Sequence, residues 1–213
     1  MGRISQGVYG GLSGKTGNLI GGSWKGITYL RIKPSSVANP RTEGQLAQRL
    51  RFTTALQFLQ PLRDFVDIGY KQYAVKMSGF NKAMSTVLKE AIIGVYPAYE
   101  IEYDSALLSR GSLPPAINVN ASSSAPGEVT VTWDDNSLNG TASPTDKSMI
   151  ALYNPLQNEA VTLFDGATRD FGEQALTVPN NYSGNQLEAY ISFQSADGSS
   201  VSNSLYIGSV VVA

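Results

Sequence analysis

Neither cysteine nor histidine occurs in the 213 residues. Without cysteine there are no disulfides and no thiolate metal sites, and the redox compartment leaves no mark on the chain. The lack of histidine removes the commonest general base, the Ser-His-Asp arrangement and the usual zinc or iron ligands. Any metal would have to rest on oxygen ligands alone. Charged residues make up only 15% of the chain, against 42% apolar, which suits a folded chain with a sizeable core. No run approaches the roughly 20 apolar residues of a membrane helix, so no membrane span is expected. Met1-Gly2-Arg3 leads into no continuous apolar segment of signal-peptide length. The expectation is therefore no Sec signal peptide and a cytoplasmic product at synthesis, which could later join a virion or an extracellular assembly.

The net charge of −1 hides a division. Residues 1–90 hold 13 Lys/Arg and 4 Asp/Glu, a balance of +9; residues 91–213 hold 3 and 13, a balance of −10. Three readings fit this asymmetry: a basic surface for an anionic partner, a front end that docks on the back end of another copy, or pairing of the two halves within one subunit.

Nine glycines fall by Gly26, and the stretch "GGLSGKTGN", Gly10 to Asn18, ends a phosphate loop at a glance. The resemblance fails on spacing, because the position five before Gly14 is Tyr9. It fails on context too, since "TGNLIGGSW" after Lys15 is no helix former to meet phosphates with its amides. The stretch reads instead as a bend in a glycine-punctuated β segment. Gly10, Gly11, Gly14, Gly17, Gly21 and Gly22 supply positive φ or room for a neighbouring backbone. In "GITYLRIK", Thr28, Leu30 and Ile32 alternate with Ile27, Tyr29, Arg31 and Lys33, the pattern of a strand.

Helix follows. Thr42-x-x-Gln45 is a capping box, and Phe52, Ala55, Leu56, Phe58, Leu59, Leu62, Phe65 and Val66 share half a helical wheel. Pro61 lies inside this run and predicts a kinked helix or two abutting ones. Phe80, Ala83, Met84, Val87, Leu88, Ala91 and Ile92 mark a second helix, capped by Asn81 and stopped by Gly94. Beyond Pro114-Pro115 seven short alternating segments, from "INVNASS" to "NSLYIGSVVV", are separated by turn signals. That is the pattern of a β-sandwich.

The fold class expected is α+β: a glycine-rich β segment plus short helices over 1–112, then an all-β immunoglobulin-like sandwich over 113–213. "EVTVTW", with Trp133, and "ALTVPNNYSGNQLEAYISFQ" resemble the fibronectin type III and immunoglobulin-like class, which implies that Trp133 is core. "SGKTGNLIGGSWKGITYLR", "NPRTEGQLAQRLRF", "FNKAMS" and "YDSALLSRGSL" resemble an uncharacterised family of Bacteroidota genomes and their phages. That family implies a layout and no activity.

Catalytic constellations are thin. Asp134-Asp135 and Asp146 could cluster at one rim of the sandwich, but their spacing is not that of a calcium loop and a polar turn explains them. No cofactor and no small-molecule substrate are inferred, and a non-enzymatic protein is expected. The leading expectation is a self-assembling structural subunit of a filament, tube or virion, joined head to tail. Its contact residues, whether for another subunit or for an anionic partner, are Lys15, Lys25, Tyr29, Arg31, Lys33, Arg41, Arg49 and Arg51. One alternative is a nucleic-acid-binding accessory protein that uses the basic half. Another is an adhesin module whose sandwich loops offer Tyr153, Tyr182 or Tyr206 to a glycan.

Overall fold

The structure is a computed structural model that describes residues 3–4, 11–24, 27–36, 41–74 and 77–213. By compactness the chain divides into two units, Met1–Thr42 and Glu43–Ala213.

The first unit is one antiparallel sheet in the order β1 (Arg3–Ile4), β2 (Leu12–Thr16), β3 (Leu19–Trp24), β4 (Ile27–Ile32). Residues Leu12–Thr16, inside the stretch that imitates a phosphate loop, are a strand, and the bend falls just after it. Gly17, at φ +57°, and Asn18 form the two-residue connection between β2 and β3, where glycine in the first position gives the twist a hairpin needs.

The second unit begins with α1 (Glu43–Leu59), which starts one residue after Thr42, and α2 (Arg63–Gly69). The two abut at Pro61, as its missing amide requires. Ala55, Phe58, Leu59, Leu62, Phe65 and Val66 are buried as the periodicity predicts, whereas Phe52 is exposed. Next comes α3 (Gly79–Glu90). Its N-cap is Ser78 and not Asn81: the Ser78 hydroxyl accepts from the Asn81 amide at 3.2 Å. The helix ends at Glu90. Gly94, at φ +86°, sits instead in the hairpin of β5 (Ile92–Val95) and β6 (Ala98–Ile101), beyond the helix it was expected to stop.

Seven strands complete the unit: β7 (Ile117–Ser122), β8 (Glu128–Asp134), β9 (Lys147–Asn154), β10 (Glu159–Leu163), β11 (Glu173–Thr177), β12 (Gln186–Gln194) and β13 (Leu205–Val211). They form two antiparallel sheets, β11-β8-β7 and β10-β9-β12-β13. This is an immunoglobulin-like sandwich of the fibronectin type III strand order, and with the helices before it the fold is α+β.

The second sheet is covered on both faces. Ile150, Leu152, Ala189, Ile191 and Phe193 belong to the inter-sheet core, with Val129, Val131 and Trp133 of β8. Met149, Ala151, Tyr153 and Tyr190 point the other way, into a core shared with Phe58, Phe65, Ala83 and Val87 of the helices. Hence β9 and β12 read as nearly continuous apolar runs, not as an alternation. The boundary expected at 112/113 therefore lies inside one compact unit. Its proline pair is tied into the sandwich: the Pro114 carbonyl accepts from Arg169 Nη2 at 3.1 Å and the Pro115 carbonyl from Asn136 Nδ2 at 2.9 Å.

Candidate assembly surfaces

Strand register decides which side chains of the first unit stand together. Lys15 opposes Ile20, and Ile20 opposes Arg31, so a lysine, an isoleucine and an arginine form one row across β2, β3 and β4. Gly22 opposes Tyr29 on the same face, and the Tyr29 hydroxyl lies where a Cβ at Gly22 would come within 2.9 Å of it. By alternation Lys33 extends that face beyond β4. The opposite face carries Leu30 beside Gly21, and Ile32 beside Leu19. At Gly21 the carbonyl of Leu12 stands where a Cβ would be, so the backbone against that glycine is the chain's own. The sheet is amphipathic, with a cationic-aromatic face and an apolar one.

Among the described residues, none of this unit joins either hydrophobic core. Every residue of β4 is exposed, including Ile27 at 67%, Leu30 at 57% and Ile32 at 75%. A sheet buries its apolar face against a second layer when it is stable, and β4 presents both of its faces to solvent. Charge marks the sheet further. Residues 1–42 contain six Lys/Arg and no Asp or Glu, a charge of +6, while residues 43–213 contain 10 and 17, a balance of −7.

The other predicted contact residues are not on this sheet. Arg41 is exposed just before α1, and Arg49 lies on an exposed part of α1. Arg51 is occupied within its own unit: Nη2 donates to the Leu88 carbonyl at 2.9 Å and the guanidinium lies 5.8 Å from the Tyr99 ring centre. It ties α1 to α3 and β6 and is poorly placed to meet a phosphate. Gly10 and Lys25 lie outside the described residues.

On the second unit a groove runs around the turn between β9 and β10. Its middle is a cavity of about 410 Å³ walled by Phe58, Tyr103 and Tyr153, with Glu100 and Asn158 at its margin. These rings pack edge to face or tilted, 5.1 to 6.0 Å apart. A cavity of about 360 Å³ shares Tyr103 and Pro155 with it and adds Glu188. Another, of about 590 Å³, shares Asn158 and follows Glu159–Val161 of β10 toward Tyr182. Among the described residues, neither lysine nor arginine lines any of the three.

The tyrosine hydroxyls here are engaged. Tyr153 donates to Asn158 Oδ1 at 3.0 Å, Tyr182 to Glu159 Oε2 at 3.2 Å, Tyr206 to Glu188 Oε2 at 2.5 Å and Tyr190 to the Tyr103 carbonyl at 2.7 Å. Burial pushes the Tyr153 phenol up to about 12; burial, then the bond to Glu159, does the same for Tyr182. Tyr153 and Tyr206 sit on strands β9 and β13, not on loops, and Tyr153 and Tyr182 are buried. The glycan reading, which needs exposed loop tyrosines, loses its platform.

The rim carboxylates do not converge. Asp146 is buried and pairs with Arg169, Nη2 to Oδ2 at 3.2 Å. Asp134 accepts from Asn118, and Asp135 accepts from the Ser137 amide. Arg169 was not foreseen from the sequence. It is fully buried, lies 3.9 Å from the Phe193 ring centre, and its carbonyl accepts from Trp133 Nε1 at 2.9 Å. Trp133 is core, as its resemblance implied.

The chain matches the family described as "Family of unknown function (DUF6266)" over residues 11–208. The chain belongs to that family. No curated protein matches it. Among solved structures it is similar to the fn3 domain of human collagen alpha-1(XX) chain, at 12% identity over 47% of this chain and 86% of that one, with a TM-score of 0.34. The family match spans both compact units.

Proposed function

We propose that this protein is a non-enzymatic structural subunit that assembles with copies of itself, the basic sheet of one copy packing on the acidic unit of the next. The supporting observation is the sheet itself, amphipathic and exposed along β4 on both faces, within a segment, residues 1–42, that is charged +6 and has no carboxylate of its own. Cover by a second such sheet would set like charges together. Cover by the −7 unit of another copy sets opposite charges together and buries Leu19, Leu30 and Ile32. Such a contact is heterologous, so it propagates into a filament or closes into a ring. A source among Bacteroidota or their phages, implied by the sequence resemblance, suits an extracellular or virion assembly. Negative-stain microscopy of concentrated protein at low salt tests the reading: filaments, tubes or rings are expected, and a field of single 22.8 kDa particles contradicts it.

A second reading is favoured by one observation, the gathering of Lys15, Tyr29, Arg31 and Lys33 on a single face. A nucleic-acid backbone could track that row, with Tyr29 stacking on a base. Retention on single-stranded DNA or RNA that falls steeply with salt supports it. Retention that is absent even at low salt removes it.

A further inference from the structure

The geometry points to the groove around the β9–β10 turn as the receiving site for β4 of a second copy, an inference that rests on the self-assembly reading above. Both partners are sheet edges. β4 ends the order β1-β2-β3-β4, and β10 ends the order β10-β9-β12-β13. β10, of sequence "EAVTL", pairs with β9 and carries none of the lysines, prolines or bulges that ordinarily blunt an edge. Beside it the groove stays open: Glu159, Ala160 and Val161 form one wall, with Gln60, Pro61 and Tyr182 around them. An extended strand laid there can add main-chain hydrogen bonds to β10.

Charge then selects the occupant. The groove presents Glu100 and Glu159, with Glu188 buried behind them and held by Tyr206 and Gln186; no lysine or arginine is among its described lining residues, and the Tyr182 hydroxyl fixes one oxygen of Glu159. β4 brings Arg31, followed by Lys33, and comes from a segment without any carboxylate. Its six residues, at about 3.3 Å each, span roughly 20 Å, in keeping with several connected cavities and not with one. The aromatic walls Phe58, Tyr103 and Tyr182 suit the Ile27, Tyr29 and Leu30 side chains and the face of a guanidinium.

Full-length variants read out by sedimentation velocity over a concentration series test the site. Glu100→Lys/Glu159→Lys changes two exposed groove residues, Arg31→Glu/Lys33→Glu changes the strand, and Glu128→Lys on β8 is the control. Circular dichroism shows whether each is folded. The inference expects both double variants to weaken self-association at least about tenfold, the control to match the wild type, and an equimolar mixture of the two double variants to recover association. A synthetic peptide of residues 27–33 should bind the wild type, and bind the groove variant at least about tenfold more weakly. Wild-type assembly that persists unchanged in the groove variant overturns the inference while leaving self-assembly standing; a glycan or an unrelated protein in the groove would give that result. A wild type that stays monomeric at every concentration overturns both.

Discussion

The two compact units solve the burial problem in opposite ways. Residues 43–213 enclose two hydrophobic cores, and the β10-β9-β12-β13 sheet separates them. The described residues of 1–42 enclose none, and hold together by strand pairing and glycine-dependent packing. One unit buries its apolar side chains within itself; the other leaves those of β4 exposed. A sheet with apolar residues exposed on an edge strand is a liability for a monomer and an asset for a subunit.

The sharpest break in the self-sufficient unit should come at Arg169. Replacing it by Ala leaves the Asp146 carboxylate buried and unpaired and strips the Asn136, Pro114 and Phe193 contacts. The expected loss is about 3–5 kcal/mol in urea unfolding, with much of it recovered in Arg169→Met/Asp146→Leu. Phe58→Ala should cost roughly 3–5 kcal/mol as well. Because Phe58 packs on Tyr103 and Tyr153, residues 43–213 should still unfold in one transition. Separate transitions for helices and sandwich would show that the shared core does not couple them.

Alkaline pH offers a milder test. Tyr153 and Tyr182 hold their protons up to about 12 in the fold, against 10.0 when unfolded. Above pH 10 the unfolded chain releases protons that the folded chain keeps, so stability is full below pH 10 and declines from there toward pH 12. Denaturation midpoints across that window, with tyrosinate absorbance, should show it. The smallest effect is expected in the other unit. Leu30→Ser/Ile32→Ser should change the unfolding of residues 43–213 by less than about 0.5 kcal/mol, yet abolish the assemblies that the proposal expects microscopy to show for the wild type. A large stability loss would mean that these residues already serve the monomer.

Periodicity made much of this legible. The seven strand segments and the Pro61 break follow from patterns within a few residues, and the burial of Trp133 from the resemblance of "EVTVTW" to the fibronectin type III class. What the sequence hid depends on long range. Nothing local tells that Arg169 is buried, because its compensating Asp146 and Asn136 lie more than twenty residues away in the chain. The hairpin of Ile92–Val95 and Ala98–Ile101 escaped because Gly94 imitates a helix stop. The 112/113 boundary was misleading because a proline pair marks a change of secondary structure, and the helices before it share a core with the strands after it. Of the basic residues, Lys15 and Arg31 stand together only because register places Ile20 between them, and Arg51 drops out only because Leu88 and Tyr99 hold it.

Light scattering of the full-length protein against concentration, at low and high salt, tests the central claim most directly. The account predicts a mass that grows beyond 22.8 kDa with concentration and falls back as salt screens the opposed charges. A mass fixed at 22.8 kDa throughout would contradict it.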